Sequence, residues 1–331
     1  MTKSERSGRL RPSRRQFLAL GAGALAVAAL PGALRPGRRL VRRQVPVMGT
    51  IAEVDVVARD ARWAHAAIDA AVAELRRVDA TMSRFRAGSD VGRVNAAPAG
   101  EAVPVGEETA RVVRIALEWA EASLGDFDPG LAKASALWDV TRRAEPPSAG
   151  EIRRYAGRGL WRWLDVGRLG GDAVVVRRDD DVAIDLGGIA KGWGVDRAAT
   201  ALRDWGVADG LVNVGGDLYA LGTAEDDEPW EIGIRAPDRP GGLAATFRVS
   251  DRAVATSGNY ERYFEHGGRR YHHLIDPDTG APWAGPSRGV TVLAADCLRA
   301  DAAGTAAFGR PPAGGRRLVE SMVPGAEVIH A

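Results

Sequence analysis

Three groups of side chains in this 331-residue sequence have the types and spacing to do chemistry. Asp185, Gly187, Gly188 and Lys191 set a carboxylate, a flexible backbone and a cation between the apolar run 182–184 and a stretch of helix-forming composition over 194–202. Paired glycines permit positive φ and close backbone approach, so such a turn can offer N–H and C=O groups to a phosphate or a cation. Asp301 and Thr305 lie four apart in an Ala/Gly-rich helical stretch and project oxygens from one face. A carboxylate with a hydroxyl suits a hard cation, with Mg2+ the natural candidate. His273 is of a residue type that ordinarily titrates near neutrality, so it could take a proton from a hydroxyl nucleophile. The adjacent His272 alternates to the other face and belongs to core or solvent. Asp128, in the turn 125–130, and Lys191 could grip a ribityl, pyrophosphate or base group, and Ser257 could hydrogen-bond a ligand. Each group also has a plain structural reading, such as a surface Asp beside a helix-facing Thr or a histidine packed in a strand. There is no Gly-x-Ser-x-Gly elbow, no Walker A loop and no Gly-x-Gly-x-x-Gly fingerprint after a strand, which argues against those three classes of site.

These groups need elements to hold them. The later half of 44–57 alternates as a half-buried strand does, and 61–82 carries a helical apolar stripe of Trp63, Ile68, Val72, Leu75 and Val78. A turn-rich segment runs over 82–95. Helices are predicted over 107–124 and from the Gly125–Gly130 break to Trp138, with the proline-bearing 143–152 as a mobile loop. Strands follow at 173–177 and 182–186, then a helix over 194–202. The stretch 211–221 is predicted as one strand kinked at Gly215-Gly216-Asp217. Strands at 230–235, 245–249, 252–256 and 289–294 lead to a closing helix over 296–308. Strands and helices mix without strict alternation, which favours an α+β fold over a doubly wound sheet.

Ser13-Arg14-Arg15-Gln16-Phe17-Leu18, then an apolar Ala/Gly-rich run to Leu30 and small residues, has the pattern of a twin-arginine signal peptide over 1–34. A basic linker over 35–43 and one domain over 44–331 complete the expected organisation. Export to the periplasm or another extracytoplasmic space is therefore expected, with an uncleaved signal as a route to membrane association. The single cysteine, Cys297, leaves no lipoprotein cysteine after the apolar run and no intramolecular disulfide. Residues 1–34 hold six Lys/Arg and one Glu, a surplus of five, so the formal +2 becomes about −3 without them. No basic surface for nucleic acid is implied.

Side by side, several stretches resemble the ApbE family of FAD:protein FMN transferases. They are Met48-Gly49-Thr50, Met82-Ser83-Arg84-Phe85, Phe127-Asp128-Pro129, the run 185–192, Val212-Asn213-Val214-Gly215-Gly216-Asp217, Ala255-Thr256-Ser257-Gly258, His272-His273-Leu274-Ile275-Asp276-Pro277 and the run 300–305. Together they span nearly all of 44–310. The resemblance implies a two-lobed, T-fold-like mixture of sheet and helix around a central FAD cleft. It implies FAD as substrate, Mg2+ as metal, and FMN transfer to a Thr or Ser hydroxyl of an exported acceptor protein, with AMP released. It matches Asp301, Thr305 and the Gly188 carbonyl to metal positions. Met48, Phe85, Asp128, Asp185, Lys191 and Leu274 match FAD contacts, and His273 matches the base. Relatives often have Tyr at Phe85 and a small residue at Asp126, and Gly304 is unusual inside a metal-bearing helix. A membrane-associated redox protein is one acceptor class compatible with export. An FAD pyrophosphatase giving FMN and AMP, and an exported FAD-binding protein without turnover, are the rival expectations.

Overall fold

The computed structural model describes residues 37–331, apart from 238, 240 and 287, together with the backbone of residues 25–28. In chain order the strands are β1 (Leu25–Ala28), β2 (Arg39–Val47), β3 (Thr50–Ala58), β4 (Ala102–Pro104), β5 (Leu164–Leu169), β6 (Asp172–Arg177), β7 (Gly210–Val214), β8 (Asp217–Leu221), β9 (Trp230–Arg235), β10 (Leu243–Val249), β11 (Arg252–Gly258), β12 (Tyr263–His266), β13 (Arg269–His272), β14 (Ile275–Asp276), β15 (Ala281–Pro282), β16 (Gly289–Ala294) and β17 (Glu327–His330). The helices are α1 (Ala61–Met82), α2 (Asp90–Ala96), α3 (Glu107–Ala122), α4 (Ala132–Trp138), α5 (Ala149–Arg153), α6 (Ala190–Asp204), α7 (Cys297–Phe308) and α8 (Pro312–Met322).

Seven strands in the order β17-β16-β11-β8-β7-β3-β2 form an antiparallel sheet. Strand side chains alternate between faces, so this sheet buries two sets of residues. Val56, Val212, Tyr219, Ala253 and Val292 point toward the main core with α1, α6 and α7. Val57, Leu211, Leu218, Val254 and Leu293 point the other way, against Trp230, Ile232 and Ile234 of the sheet β1-β9-β10. A third sheet, β4-β6-β5, lies beside α2 and α3. The mixture of layers is α+β, as the irregular interleaving of elements predicts.

The departures from expectation have local causes. Residues 39–43 are strand, not linker: the Arg42 guanidinium pairs with the buried Asp55 carboxylate across the β2–β3 ladder at 2.8 Å, which lets a basic stretch join the sheet. Residues 182–186 form one isolated bridge, Leu131 to Ala183, and no strand. Their amides go elsewhere: Ile184 to the Asn95 side chain at 2.6 Å, Asp185 to the Pro129 carbonyl at 2.8 Å. The Arg177 guanidinium fixes the same stretch by donating to the carbonyls of Val94, Ala97, Asp179 and Val182. The Gly215-Gly216 kink is a full reversal, with φ of 61° and 99°, so 211–221 is the β7–β8 hairpin. Part of the 143–152 loop is helical: Ser148 and Glu151 form a capping box on α5. Helix α2, within the turn-rich segment, and the final pair α8 and β17 were not anticipated. The twin-arginine signal over 1–34 lies outside the described residues except for the backbone of 25–28, which pairs antiparallel with β9 from Leu25 opposite Ile234 to Ala28 opposite Glu231. No described helix is long and apolar enough to cross a membrane.

Candidate active site

Helices α6 and α7 pack so closely that a Cβ on Gly192 would run into the Cys297 carbonyl. Only glycine permits that approach without a shift. Asp196, one turn further along α6, accepts hydrogen bonds from the Cys297 and Leu298 amides at 2.8 and 2.9 Å, closing the N-terminus of α7. Burial pushes its carboxyl up to about 7, although those two amides pull the other way.

The contact brings the mid-chain turn to the C-terminal helix. The Gly192 amide donates to Asp301 Oδ2 at 3.1 Å, and Lys191 Nζ lies 3.3 Å from both Asp301 oxygens. One turn on, a Cβ on Gly188 would stand 2.9 Å from Thr305 Oγ1 and 3.2 Å from the Phe127 ring. Ser257 Oγ and Thr305 Oγ1 are hydrogen-bonded at 3.2 Å. The Gly188 backbone therefore lies against the Thr305 side chain, and Asp301 sits one turn away on the same helix, so a carbonyl, a hydroxyl and a carboxylate occupy neighbouring places. That donor set suits Mg2+. Among the described residues there is no cluster of three or more His, Cys, Asp or Glu side chains fit for a metal, so a cation here would rest on one carboxylate, one hydroxyl and one carbonyl.

Lys191 also pairs with Asp217, the first residue of β8, which the sequence reading left without a role. The Val212–Asp217 stretch was the only signal for it. Burial opposes the charge on Lys191, but Asp217 and Asp301 outweigh it and hold the ammonium's pKa above its usual value. Asp217 is raised in turn, by burial first and by the Asp301 charge second.

Met48 and Asp185, predicted as flavin contacts, border the same strand-to-helix passage, while Phe85 joins it through Arg84. Met48 has φ of 53° at the tip of the β2–β3 hairpin, with its sulfur 3.0 Å from where a Gly194 Cβ would be. Phe85 is 81% exposed, covered on one face by the Arg84 guanidinium at 4.2 Å. Arg84 in turn pairs with Asp185 at 3.1 Å, a link that sequence reasoning did not find. Asp128 accepts from the Gly130 amide at 2.7 Å through Oδ1, while Oδ2 is buried with no hydrogen-bond partner among the described residues. Burial pushes the Asp128 carboxyl up to about 6. The Trp161 and Leu160 amides lie close enough to favour the charged carboxylate, although neither makes a well-formed hydrogen bond to Oδ2, which leaves that oxygen able to take a ligand donor.

His273 follows β13 in a loop and is exposed, not part of an apolar strand. Its amide donates to the Arg262 carbonyl at 3.3 Å, and Arg262 donates to the Gly49 carbonyl at 2.8 Å, tying the base candidate to the Met48 turn. Although the residue keeps solvent-exposed surface, burial of the ring comes first, then the positive neighbours His272, Arg262 and Lys191, in lowering its pKa from the usual imidazole value. His272 is core, with Nε2 2.9 Å from the Trp283 carbonyl and Nδ1 accepting from the Leu274 amide at 3.3 Å. Leu274 is half-buried next to His273.

The sequence profile of the ApbE family matches residues 48–330. The FAD:protein FMN transferase of Treponema pallidum is 33% identical over 289 residues, covering 82% of this chain and 80% of that protein. The FAD:protein FMN transferase of Vibrio cholerae is 31% identical over 281 residues, covering 83% of each. In structure the chain is similar to the ApbE protein of Thermotoga maritima, with a TM-score of 0.77 at 30% identity over 88% of this chain and 93% of that one. It is similar also to the flavin transferase ApbE of Vibrio cholerae, with a TM-score of 0.75 at 28% identity over the same shares.

Proposed function

This chain belongs to the ApbE family, and from that premise we propose that it is an FAD:protein FMN transferase acting on a Thr or Ser hydroxyl of an exported acceptor. The observation that carries the reading is the meeting of Asp301 with Lys191 and of Thr305 with Gly188 at the α6–α7 contact, with His273 near enough to feel the Lys191 charge. Asp301, Thr305 and the Gly188 carbonyl would hold Mg2+, which would neutralise charge developing on the diphosphate oxygens of FAD. Lys191 contributes a fixed positive charge beside the same oxygens. Phe85 offers an exposed ring for stacking, and Asp128 Oδ2 offers an unsatisfied acceptor to an N–H or O–H of the dinucleotide.

The neutral His273 imidazole accepts the proton of the acceptor hydroxyl. The hydroxyl oxygen attacks the FMN phosphorus, the P–O bond to the bridging oxygen breaks, and AMP leaves with that oxygen and the electron pair. Phosphoryl transfer asks little covalent chemistry of the protein and depends on placement. His273 keeps solvent-exposed surface, so water can stand in for the acceptor hydroxyl, and the second reading is hydrolysis to FMN and AMP. The Ser13–Leu18 motif supports export by the twin-arginine route, with membrane association where the signal is kept.

Incubation with FAD, Mg2+ and a peptide bearing an Asp-x-x-(Ser/Thr)-Gly-Ala-Thr-type acceptor sequence tests the reading. Flavin fluorescence on the peptide, with AMP in equal amount, is the expected result. Free FMN alone would mean a pyrophosphatase, and neither product would mean an FAD-binding protein.

A further inference from the structure

The Lys191 ammonium stands between two buried carboxylates on separate elements, Asp301 on α7 and Asp217 at the start of β8. Asp217 is positioned independently of α7. The Gly215-Gly216 reversal sets it at the mouth of the hairpin, and the Gly216 amide is held by Asn213 Oδ1 at 3.0 Å. The Thr256 amide of β11 lies close enough to favour the charged form of its carboxylate. Its tie to Lys191 is the closer of the two, since Asp301 is met at 3.3 Å. One ammonium against two carboxylates leaves the trio a single negative charge. That surplus sits beside Thr305 and Gly188, where the reading above puts the cation.

We propose that Asp217 is a positioning residue that anchors Lys191 so that Asp301 can leave the ammonium for a divalent cation. Without the cation, Lys191 shares itself between the two carboxylates and stands in for the missing positive charge on Asp301. With the cation, Asp301 turns to it and Lys191 stays on Asp217, still beside the diphosphate. The Gly192 amide keeps its hold on Asp301 Oδ2 in both states, so the carboxylate need not swing away. This inference rests on the metal-dependent reading of the site.

The test is a double-mutant cycle read by Mn2+ binding alone, by calorimetry, on the full chain without FAD. Asp217→Asn leaves Lys191 wholly to Asp301 and should weaken Mn2+ binding about tenfold or more, a loss of about 1.4 kcal/mol. In the Lys191→Met background the same change should cost less than about twofold, because no ammonium competes. Asp217→Glu should restore most of the wild-type affinity. An equal loss in both backgrounds would mean that Asp217 acts by its charge alone, and the proposal fails. Lys191→Met by itself should tighten Mn2+ binding several-fold, and a weakening would overturn the proposal even if Asp217→Asn did not fold. If the wild-type protein binds no Mn2+, the metal-dependent reading itself falls, which is a different result from a flat cycle.

Discussion

The Gly192 amide of α6 donates to the Asp301 carboxylate of α7 across 3.1 Å, joining residues more than a hundred positions apart at the place where the two helices touch backbone to backbone. A side chain at 192 would have to push α7 away. Gly192→Ala is expected to destabilise the fold by about 1–3 kcal/mol, the usual cost of overpacking a tight contact. It should weaken Mn2+ binding as well. Thermal unfolding and a metal titration on one preparation check both effects; an unchanged melting temperature would contradict the packing.

Thr305→Val keeps the shape of the side chain and removes its hydroxyl. The Mg2+ concentration giving half-maximal FMN transfer should rise roughly tenfold, a change of about 1.4 kcal/mol. Removing Mg2+ with a chelator should stop transfer by the wild-type protein. Transfer by Thr305→Val at wild-type Mg2+ levels would remove that hydroxyl from the metal site.

His273→Ala should slow transfer by about 10²–10⁴-fold, the range for a lost general base, with FAD affinity changed little. Because the folded protein lowers this imidazole's pKa, it stays a neutral base to more acid pH than a free histidine. The acid limb of the transfer rate should therefore fall below the usual imidazole value of about 6.5. A rate profile bending at or above that value would point to another base.

His272 carries a stability prediction of definite sign. Its pKa is lowered to about 4, by burial first and then by Arg288, Arg270 and Arg269, so the unfolded chain takes up a proton that the folded one refuses. Folding stability is fully present above about pH 6.5 and is lost as pH falls toward about 4, by about 2 kcal/mol at pH 5. Urea unfolding of the wild type and His272→Gln at pH 7.5 and pH 5 should show a smaller acid-side loss in the variant. Parallel losses would exclude His272 as the titrating group.

Local patterns carried much of the fold. The apolar stripe over 61–82 and the Asp60 side chain that caps it define α1 from neighbouring residues alone. Residues 182–186 do not form the expected strand because their amides are satisfied by Asn95 and by the loop at Pro129-Gly130, and nothing in so short a stretch reveals such distant partners. The four-residue spacing of Asp301 and Thr305 was legible for the same reason as α1: it needs only a helix. The pairing of Lys191 with Asp217 was not, since it depends on how a helix start meets a hairpin tip from the next strand pair. Arg42 shows the same limit, its place in β2 depending on the buried Asp55 of the partner strand.

The twin grip of Asp196 on the opening amides of α7 makes two helices into one stiff unit, with Lys191 on one member and the Asp301 and Thr305 oxygens on the other. Their spacing is settled when the chain folds, before any nucleotide arrives. Loading the cleft then calls for little ordering of that wall, so amide exchange along α6 and α7 should be slow in the empty protein and scarcely slower once FAD is bound.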